Sequence, residues 1–508
     1  MAKNAPLNTA VLILASLLIL AVGALAGERS IVSTDRVSPG DWTHDALMSL
    51  AADGLVPGMS ARTFQGERRF TRLEMAGVVA SVVRKAESES PNVRQSSLIN
   101  HLVAEFGPEL AEVAPDVASQ WSGLSADLAL PVDGKAFLLG YVRDLAVDQD
   151  PASPSPSDGT YRLSGFLNIS DSMFAICTVA EHEDKVFHVL RTTNKYDKAF
   201  VRGQSGDVSW LVGRSYQNWS PAYTGSLILS DNGPALWQVR AGADLDFGKL
   251  IGEVKVTQFA GMFRDTGQRL YLIGRRYEKP LSNRWHLGVS ETAKLNKMPS
   301  PLMAVMPFYL YQHLFLDNDQ RINCLVAADL SYRMPSGAMV YGELVVDDIT
   351  APRIIGDSYT RPRKAGVTLG VSVPNVLPGD RYSSFTAEFT QIDKLTYSAT
   401  RDDVPELAYI HDTLVIGSPI GPNSRAVYLR GEYSVSDRIN LIGEYLNQRQ
   451  KDPGPPERGS RRYLSLMASY DISPSQSLAL RIAPYRIVRP DASVSDGTAL
   501  ELRASLAF

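Results

Sequence analysis

The chain has 508 residues, 44% of them hydrophobic and 21% charged, with a formal net charge of −4. Its mean hydropathy of −0.10 is too low for a bundle of membrane-spanning helices, and the charge balance does not mark a nucleic-acid binder. Neither value excludes a transmembrane β-barrel, in which only alternate residues of each strand need face lipid.

Residues 1–26 read as a secretory signal. Lys3 supplies the positive start, residues 10–22 (AVLILASLLILAV) the apolar run, and Ala24, Leu25 and Ala26 the small-x-small cleavage site. The run is short for a spanning helix, and no Cys follows it to take a lipid anchor. Cys177 and Cys324 are too far apart for a metal or redox spacing. Both fall in apparent strands and read as isolated buried thiols, although an exported compartment permits a disulfide.

Residues 45–52 (DALMSLAA) place Ala46, Leu47, Leu50 and Ala51 on one helical face, and Asp53 with Gly54 ends that helix. Phe64 lies in the loop after it. Thr71 then caps a second helix, with Glu74 at capping-box spacing, and Leu73, Ala76, Val79 and Ala80 continue its apolar face. Together with Trp42, the LAADGLVPG run at 50–58 and the FTRLE run at 70–74, these features make residues 31–86 resemble a single S-layer homology (SLH) domain. The resemblance implies non-covalent binding to peptidoglycan or its secondary polymer, with Trp42, Gly54, Thr71, Arg72 and Glu74 as the wall-binding candidates. An Arg beside a helix N-terminus suits an anionic group. The plainer alternative makes Trp42 a core residue and Thr71 only a cap.

Residues 87–92 (ESESPN) read as a linker, and 96–106 as a helix with Leu98, Leu102 and Phe106 on one face. Pro108 and Pro115 punctuate the next stretch of chain. Leu98, Leu102, Glu105, Phe106, Glu109 and Leu110 resemble the periplasmic arm of SLH-bearing outer-membrane proteins. Residues 87–130 are therefore expected to form a helical periplasmic linker that spaces the module from the rest of the chain.

From residue 134 to the end, period-2 alternation predicts about 18 strands, a mainly β fold built as a large antiparallel transmembrane barrel. In the last strand Leu500, Leu502, Ala504, Leu506 and Phe508 share a face opposite Glu501 and Arg503. Leu478, Leu480 and Ile482 repeat the pattern, as do Leu464, Leu466, Ala468 and Tyr470. Connections at 434–437 and 471–476 are short; those at 448–460 and 488–496 are longer and polar. Short turns on one rim and long loops on the other are what outer-membrane barrels show. A soluble β-sandwich alternates too and is the competing reading. The terminal Phe508 resembles the signal by which the barrel-assembly machinery recognises such chains.

Three stretches do not read as barrel strands alone. Residues 213–234 (GRSYQNWSPAYTGSLILSDNGP) are turn-rich around an apolar centre at 227–229. Residues 341–349 place Glu343, Asp347 and Asp348 at a strand end. Residues 409–422 (YIHDTLVIGSPIGP) are punctuated by Gly and Pro. Gly213 and Arg214, Trp219, the LSDN run at 229–232, Gly342 and Glu343, Asp347 and Asp348, then Tyr409, His411, Gly417 and 419–421, resemble in their order the Wzi-type capsule-assembly family of outer-membrane barrels. One departure is Ser220 and Ala222, where a "WGPG"-like turn belongs. The resemblance spans 134–508 and implies a large barrel, plugged rather than open, that holds or assembles surface polysaccharide. Arg214, Trp219, Ser230 and Asn232 are then the plug or glycan-contact candidates.

Catalytic readings find little footing. Residues 354–358 (IIGDS) look like a hydrolase nucleophile block, but the downstream His and carboxylate partners are missing from the sequence. Asp347 and Asp348 are adjacent, so in a strand they point to opposite faces. His182 and His188 do not have metal-ligand spacing. The expectation is therefore a non-enzymatic outer-membrane protein without metal or cofactor. It would be tethered to the wall by residues 31–86 in the periplasm, in contact with outer-membrane lipid and surface polysaccharide, and with no nucleic-acid partner. The alternative is an SLH-anchored porin for small solutes.

Overall fold

The computed structural model describes residues 31–66, 68–119, 136–148, 160–170, 172–181, 197–265, 267–298, 311, 322–347, 364–379, 381–399, 405–411, 414–451, 459–488 and 493–507. The expected signal at 1–26, the IIGDS run, Asp348, His182, His188 and Phe508 lie outside these residues.

Eighteen strands form one antiparallel sheet. They are β1 (Ala136–Asp148), β2 (Thr160–Ser170), β3 (Met173–Glu181), β4 (Asp197–Ser205), β5 (Val208–Ser215), β6 (Leu236–Asp246), β7 (Glu253–Asp265), β8 (Gln268–Pro280) and β9 (Trp285–Leu295). The second half comprises β10 (Ile322–Arg333), β11 (Met339–Asp347), β12 (Ala365–Pro374), β13 (Ser383–Ile392), β14 (Ser424–Ser434), β15 (Ile439–Gln450), β16 (Ser460–Ser473), β17 (Gln476–Val488) and β18 (Val494–Ala507). Each strand pairs with its neighbours in the chain. The first also pairs with the last, Val142 opposite Ala507 and Asp148 opposite Glu501. Turns such as 206–207 and 474–475 join even to odd strands at one rim, where β1 begins and β18 ends. The connections at the other rim are longer, except between β7 and β8, where Asp265 pairs directly with Gln268.

Burial decides between membrane and soluble sheet. Leu466 is 59% exposed and Leu502 51%, while their inward neighbours Arg481, Glu501 and Arg503 are buried. A soluble sheet would reverse this, since ionised side chains are rarely enclosed while apolar ones face solvent. An apolar outer band around a polar interior is the transmembrane arrangement. A departure sits on the outer wall of β8 and β9. There Arg275 and Glu291, 3.6 Å apart, are covered by the Tyr311 ring, 3.9 Å from the guanidinium carbon. Cys177 on β3 and Cys324 on β10 are not joined in a disulfide; Cys324 is buried as expected, but Cys177 is exposed, because its neighbours Ile176 and Thr178 take the inward positions of the strand.

The N-terminal residues form a helical body: α1 (Trp42–Ala52), α2 (Arg72–Glu89), α3 (Val93–Glu105) and α4 (Gly107–Val113). Asp41 caps α1 by accepting from the Thr43 amide, 3.0 Å. Thr71 and Glu74 complete a capping box on α2, and Asn92 and Gln95 another on α3, each satisfying amides that the first turn leaves without intrahelical partners. The stretch expected as a linker does not extend away: Leu98, Leu102, Phe106 and Leu110 share one core with Leu47, Phe64, Phe70 and Val79. That core continues onto the sheet through Phe166, Phe174, Ile176 and Phe200. The Trp42 ring lies 4.7 Å from Phe174, and the Ala61 amide donates to Pro474 O in the β16–β17 turn, 2.9 Å. The body therefore seats in the short-turn mouth of the sheet, and a buried Trp or Phe at such a junction stabilises it by ~1.5–3 kcal/mol.

Candidate functional site in the lumen

Residues 216–235, between β5 and β6, are almost wholly buried. Inward carboxylates of the sheet hold them. Glu343 on β11 accepts from Ser220 Oγ at 2.7 Å, Ser226 Oγ at 2.8 Å and the Leu227 amide at 2.9 Å. Glu388 on β13 accepts from the Tyr223 amide, from the Thr224 amide at 2.9 Å and from Tyr341 OH at 2.6 Å. Irregular backbone at membrane depth requires such partners for its amides. The apolar side chains of the segment meet the opposite wall, with Trp219 and Phe259 edge to face at 5.3 Å and Leu227, Ile228 and Leu229 buried in the same cluster.

A second lumen layer comes from the β13–β14 connection. Tyr397 donates its amide to Asp347 at 2.7 Å and its hydroxyl to Leu227 O at 2.6 Å. Ser230 donates to Gly417 O at 2.8 Å, and Asn232 Nδ2 to Val415 O at 2.8 Å. At Gly417 a Cβ would lie 2.3 Å from Leu227 O, so only glycine permits this approach. Lys294 on β9 donates to the carbonyls of Ala408 and Ile410, each at 2.7 Å. From the other side Arg36 donates its amide to Ser220 O at 3.1 Å and its Nε to Pro221 O at 2.9 Å. Asp231 receives Ser38 Oγ at 2.8 Å and Arg69 at 2.9 Å. The segment is thus clasped between the helical body and the second loop.

The expected candidates divide. Trp219, Ser230 and Asn232 come together in the lumen. Arg214 does not join them: its cross-strand neighbour Trp237 is 51% exposed on the outer face, and Gly213 holds the inward position. Ser220, the departure from the expected turn, uses its hydroxyl twice, donating to Glu343 and accepting from the Ala222 amide at 3.0 Å. Among the wall-binding candidates Trp42 is buried against Phe174, and Thr71 and Glu74 bond each other, with Glu74 also held by Arg68 at 2.9 Å. Arg72, whose place beside a helix N-terminus suits an external anion, instead binds Glu109 at 2.6 Å and Glu105 at 2.8 Å. Gly54 takes a left-handed φ of 82°, and its carbonyl accepts from Lys85, 2.7 Å.

Between the helical body and β4–β8 lies a cavity of about 650 Å³, lined by Arg72, Glu105, Arg202, Arg240, Lys255 and Trp219 among others. Burial raises the Glu105 carboxyl, but Arg202 and Arg72 outweigh it and bring it down to about 2. Long-range pairs seal the body to the sheet around this space: Asp35 with Arg276 at 2.7 Å, Asp45 with Lys198, and Glu105 with Arg202. Spacing alone marks Glu343 and Asp347 only as a strand-end cluster and misses Glu388. The signal for all three is an inward-phase carboxylate within a strand. Each is engaged by backbone or hydroxyl donors, so the arrangement suits anchoring rather than acid–base chemistry. Among the described residues no group of three or more His, Cys, Asp or Glu is placed to hold a metal ion.

A family model described as capsule assembly protein Wzi matches residues 149–498. In structure, the chain is similar to Wzi of Escherichia coli, an outer-membrane protein described as a carbohydrate-binding β-barrel involved in group 1 capsule assembly. The TM-score is 0.55 at 13% identity, covering 93% of this chain and 99% of that one. That coverage exceeds what the sheet and its loops account for, so the likeness of fold takes in helical residues too. OccK3 of Pseudomonas aeruginosa (TM-score 0.43, 11% identity) and OccAB4 of Acinetobacter baumannii (0.40, 10%) each cover 74% of the chain, which spans 96% and 98% of theirs. Among curated protein sequences, none matches the chain.

Proposed function

The chain belongs to the Wzi capsule-assembly family, and from that premise we propose that it is a closed outer-membrane barrel with a plugged lumen that holds surface polysaccharide outside the cell. In this reading the short-turn rim faces the periplasm and the long loops face outward. The pairing of β1 with β18 supports closure. The observation that carries the plugged reading is the anchoring of residues 216–235 on Glu343 and Glu388, which favours a structural holder over a porin. Two measurements test it. The intact protein in planar bilayers should conduct poorly, and cells lacking it should release capsular polysaccharide that the restored gene retains. Sustained large single-channel currents from the intact protein would replace this reading with the porin one.

The proposal includes contact between the N-terminal body and the cell wall, supported by the SLH resemblance of residues 31–86. Because Trp42 and Arg72 are engaged within the molecule, that contact falls to the exposed surface near Gly54, including Pro57 and Gly58. Full-length protein should co-sediment with purified sacculi; absence from the pellet ends the wall-anchor reading without touching the glycan one.

A further inference from the structure

The β7–β8 turn breaks the pattern of its rim. Every other connection there is longer, and β7 and β8 stay paired past the last paired residues of their neighbours, Trp237 on β6 and Leu295 on β9. Beside it lies a groove of about 560 Å³ lined by Arg264, Arg269, Tyr271, Asn296, Lys297 and neighbouring backbone. Arg264 and Arg269 are direct cross-strand partners, and both are exposed, as is Lys297. Like charges placed directly opposite each other destabilise a strand pair, and none of the residues lining this groove is a carboxylate. Strand pairing alone therefore gives no reason to place these three cations together.

Their direction and height supply one. Phe259 and Phe263 point into the lumen, where they join the cluster around Trp219, so Arg264 points outward, and Arg269 with it. Two residues below them on the same outer face runs the row Trp237, Met262, Tyr271 and Leu295, paired strand to strand. Trp237 and Tyr271 in that row stand where an interfacial aromatic girdle belongs. A strand rises about 3.3 Å per residue, so the two guanidinium groups stand at or just above the headgroup level of the outer leaflet.

We propose that this groove binds the phosphate groups of outer-leaflet glycolipid headgroups, with Arg264 and Arg269 as paired donors and Lys297 as a third charge. Planar guanidinium groups match phosphate oxygens in bidentate fashion, and clustered cations at a membrane interface are the usual footprint of anionic headgroup recognition. The assignment rests on the outer-membrane reading, but not on the polysaccharide one. A lipid held here would brace the outer end of the β7–β8 hairpin.

The test uses the full-length protein in detergent, titrated with bisphosphorylated lipid A, its dephosphorylated form and inorganic phosphate, and read by native mass spectrometry. Wild type should prefer bisphosphorylated lipid A. The double substitution Arg264→Ala with Arg269→Ala should bind it about thirtyfold more weakly, and Arg264→Lys with Arg269→Lys should recover part of the loss. Heat-modifiable gel mobility confirms that each variant is folded. Equal binding by the double Ala variant overturns the proposal. Displacement by inorganic phosphate at matched concentration would make this a site for soluble anions, and displacement by an acidic polysaccharide would make it a glycan site; either result overturns the lipid assignment. Failure of the polysaccharide reading would show separately, as unchanged capsule retention in cells lacking the protein.

Discussion

Replacing Glu343 with Ala should open the lumen without dismantling the sheet. The carboxylate accepts two hydroxyls and one amide from residues 220–227. The Ser220 and Ser226 hydroxyls can rotate toward other acceptors, but the Leu227 amide is fixed and buried. Stranding a buried donor costs ~1–3 kcal/mol, and losing the two hydroxyl hydrogen bonds adds ~0.5–1.5 kcal/mol each, so the segment's docking should weaken by ~2–5 kcal/mol. At 1.4 kcal/mol per decade this raises the population of undocked segment roughly thirtyfold to a few thousandfold. The sheet ladders either side of Glu343 keep their backbone bonds, so heat-modifiable mobility should persist. Single-channel recording is the assay: wild type quiet, Glu343→Ala flickering between blocked and conducting levels, and Glu343→Gln intermediate because its amide retains one acceptor oxygen. A variant as quiet as wild type would refute the claim that this carboxylate holds the lumen shut.

Arg72→Ala should loosen the helical body by ~3 kcal/mol, because it leaves the buried Glu109 carboxylate without its cation; limited proteolysis of the full chain should show faster cleavage within 72–113. Trp42→Ala removes a ring packed on Phe174 and should cost ~3–5 kcal/mol, read as a lower melting temperature of the helical signal in circular dichroism. Glu105 gives a pH dependence. Its folded pKa of about 2 lies below the ordinary Glu value of about 4.3, so its ion pairs stabilise fully above about pH 4.3 and fade as pH falls toward 2. Acid-induced release of the body, followed by tryptophan fluorescence, should therefore shift upward in pH in Glu105→Gln, which lacks this contribution throughout; superimposable acid titrations would contradict it.

The sheet is legible in the sequence because lipid writes its own signature. Leu464, Leu466 and Tyr470, which spacing alone puts on one face, are exposed on the outer wall. The capping box at Thr71 and Glu74 is equally legible, since its partners lie three residues apart. Sequence does not disclose where the helical body goes. Asp45 and Lys198 are 153 residues apart in sequence, and Asp35 and Arg276 are separated by 241. No local periodicity encodes such pairs. Arg72 is misplaced for the same reason: a cation beside a helix N-terminus looks available until Glu105 and Glu109, more than thirty residues on, fold back onto it. Trp219 stands out as a large anchor from its residue type, whereas Glu388, an inconspicuous inward acid, becomes visible only once register places it against the Tyr223 and Thr224 amides.

The ladder between β1 and β18 also bears on how firmly the helical body is held. It joins residues more than 350 apart in sequence, from Val142 with Ala507 to Asp148 with Glu501, and contacts of such long sequence separation are slow to form. The helical body packs on both sides of that seam, against Phe166 on β2 and Ala507 on β18, and reaches Pro474 in the β16–β17 turn. Release of the body requires breaking its ion pairs with Arg276, Lys198 and Arg202 together with that shared core, so the assembled state is held by a kinetic barrier as well as by its equilibrium stability.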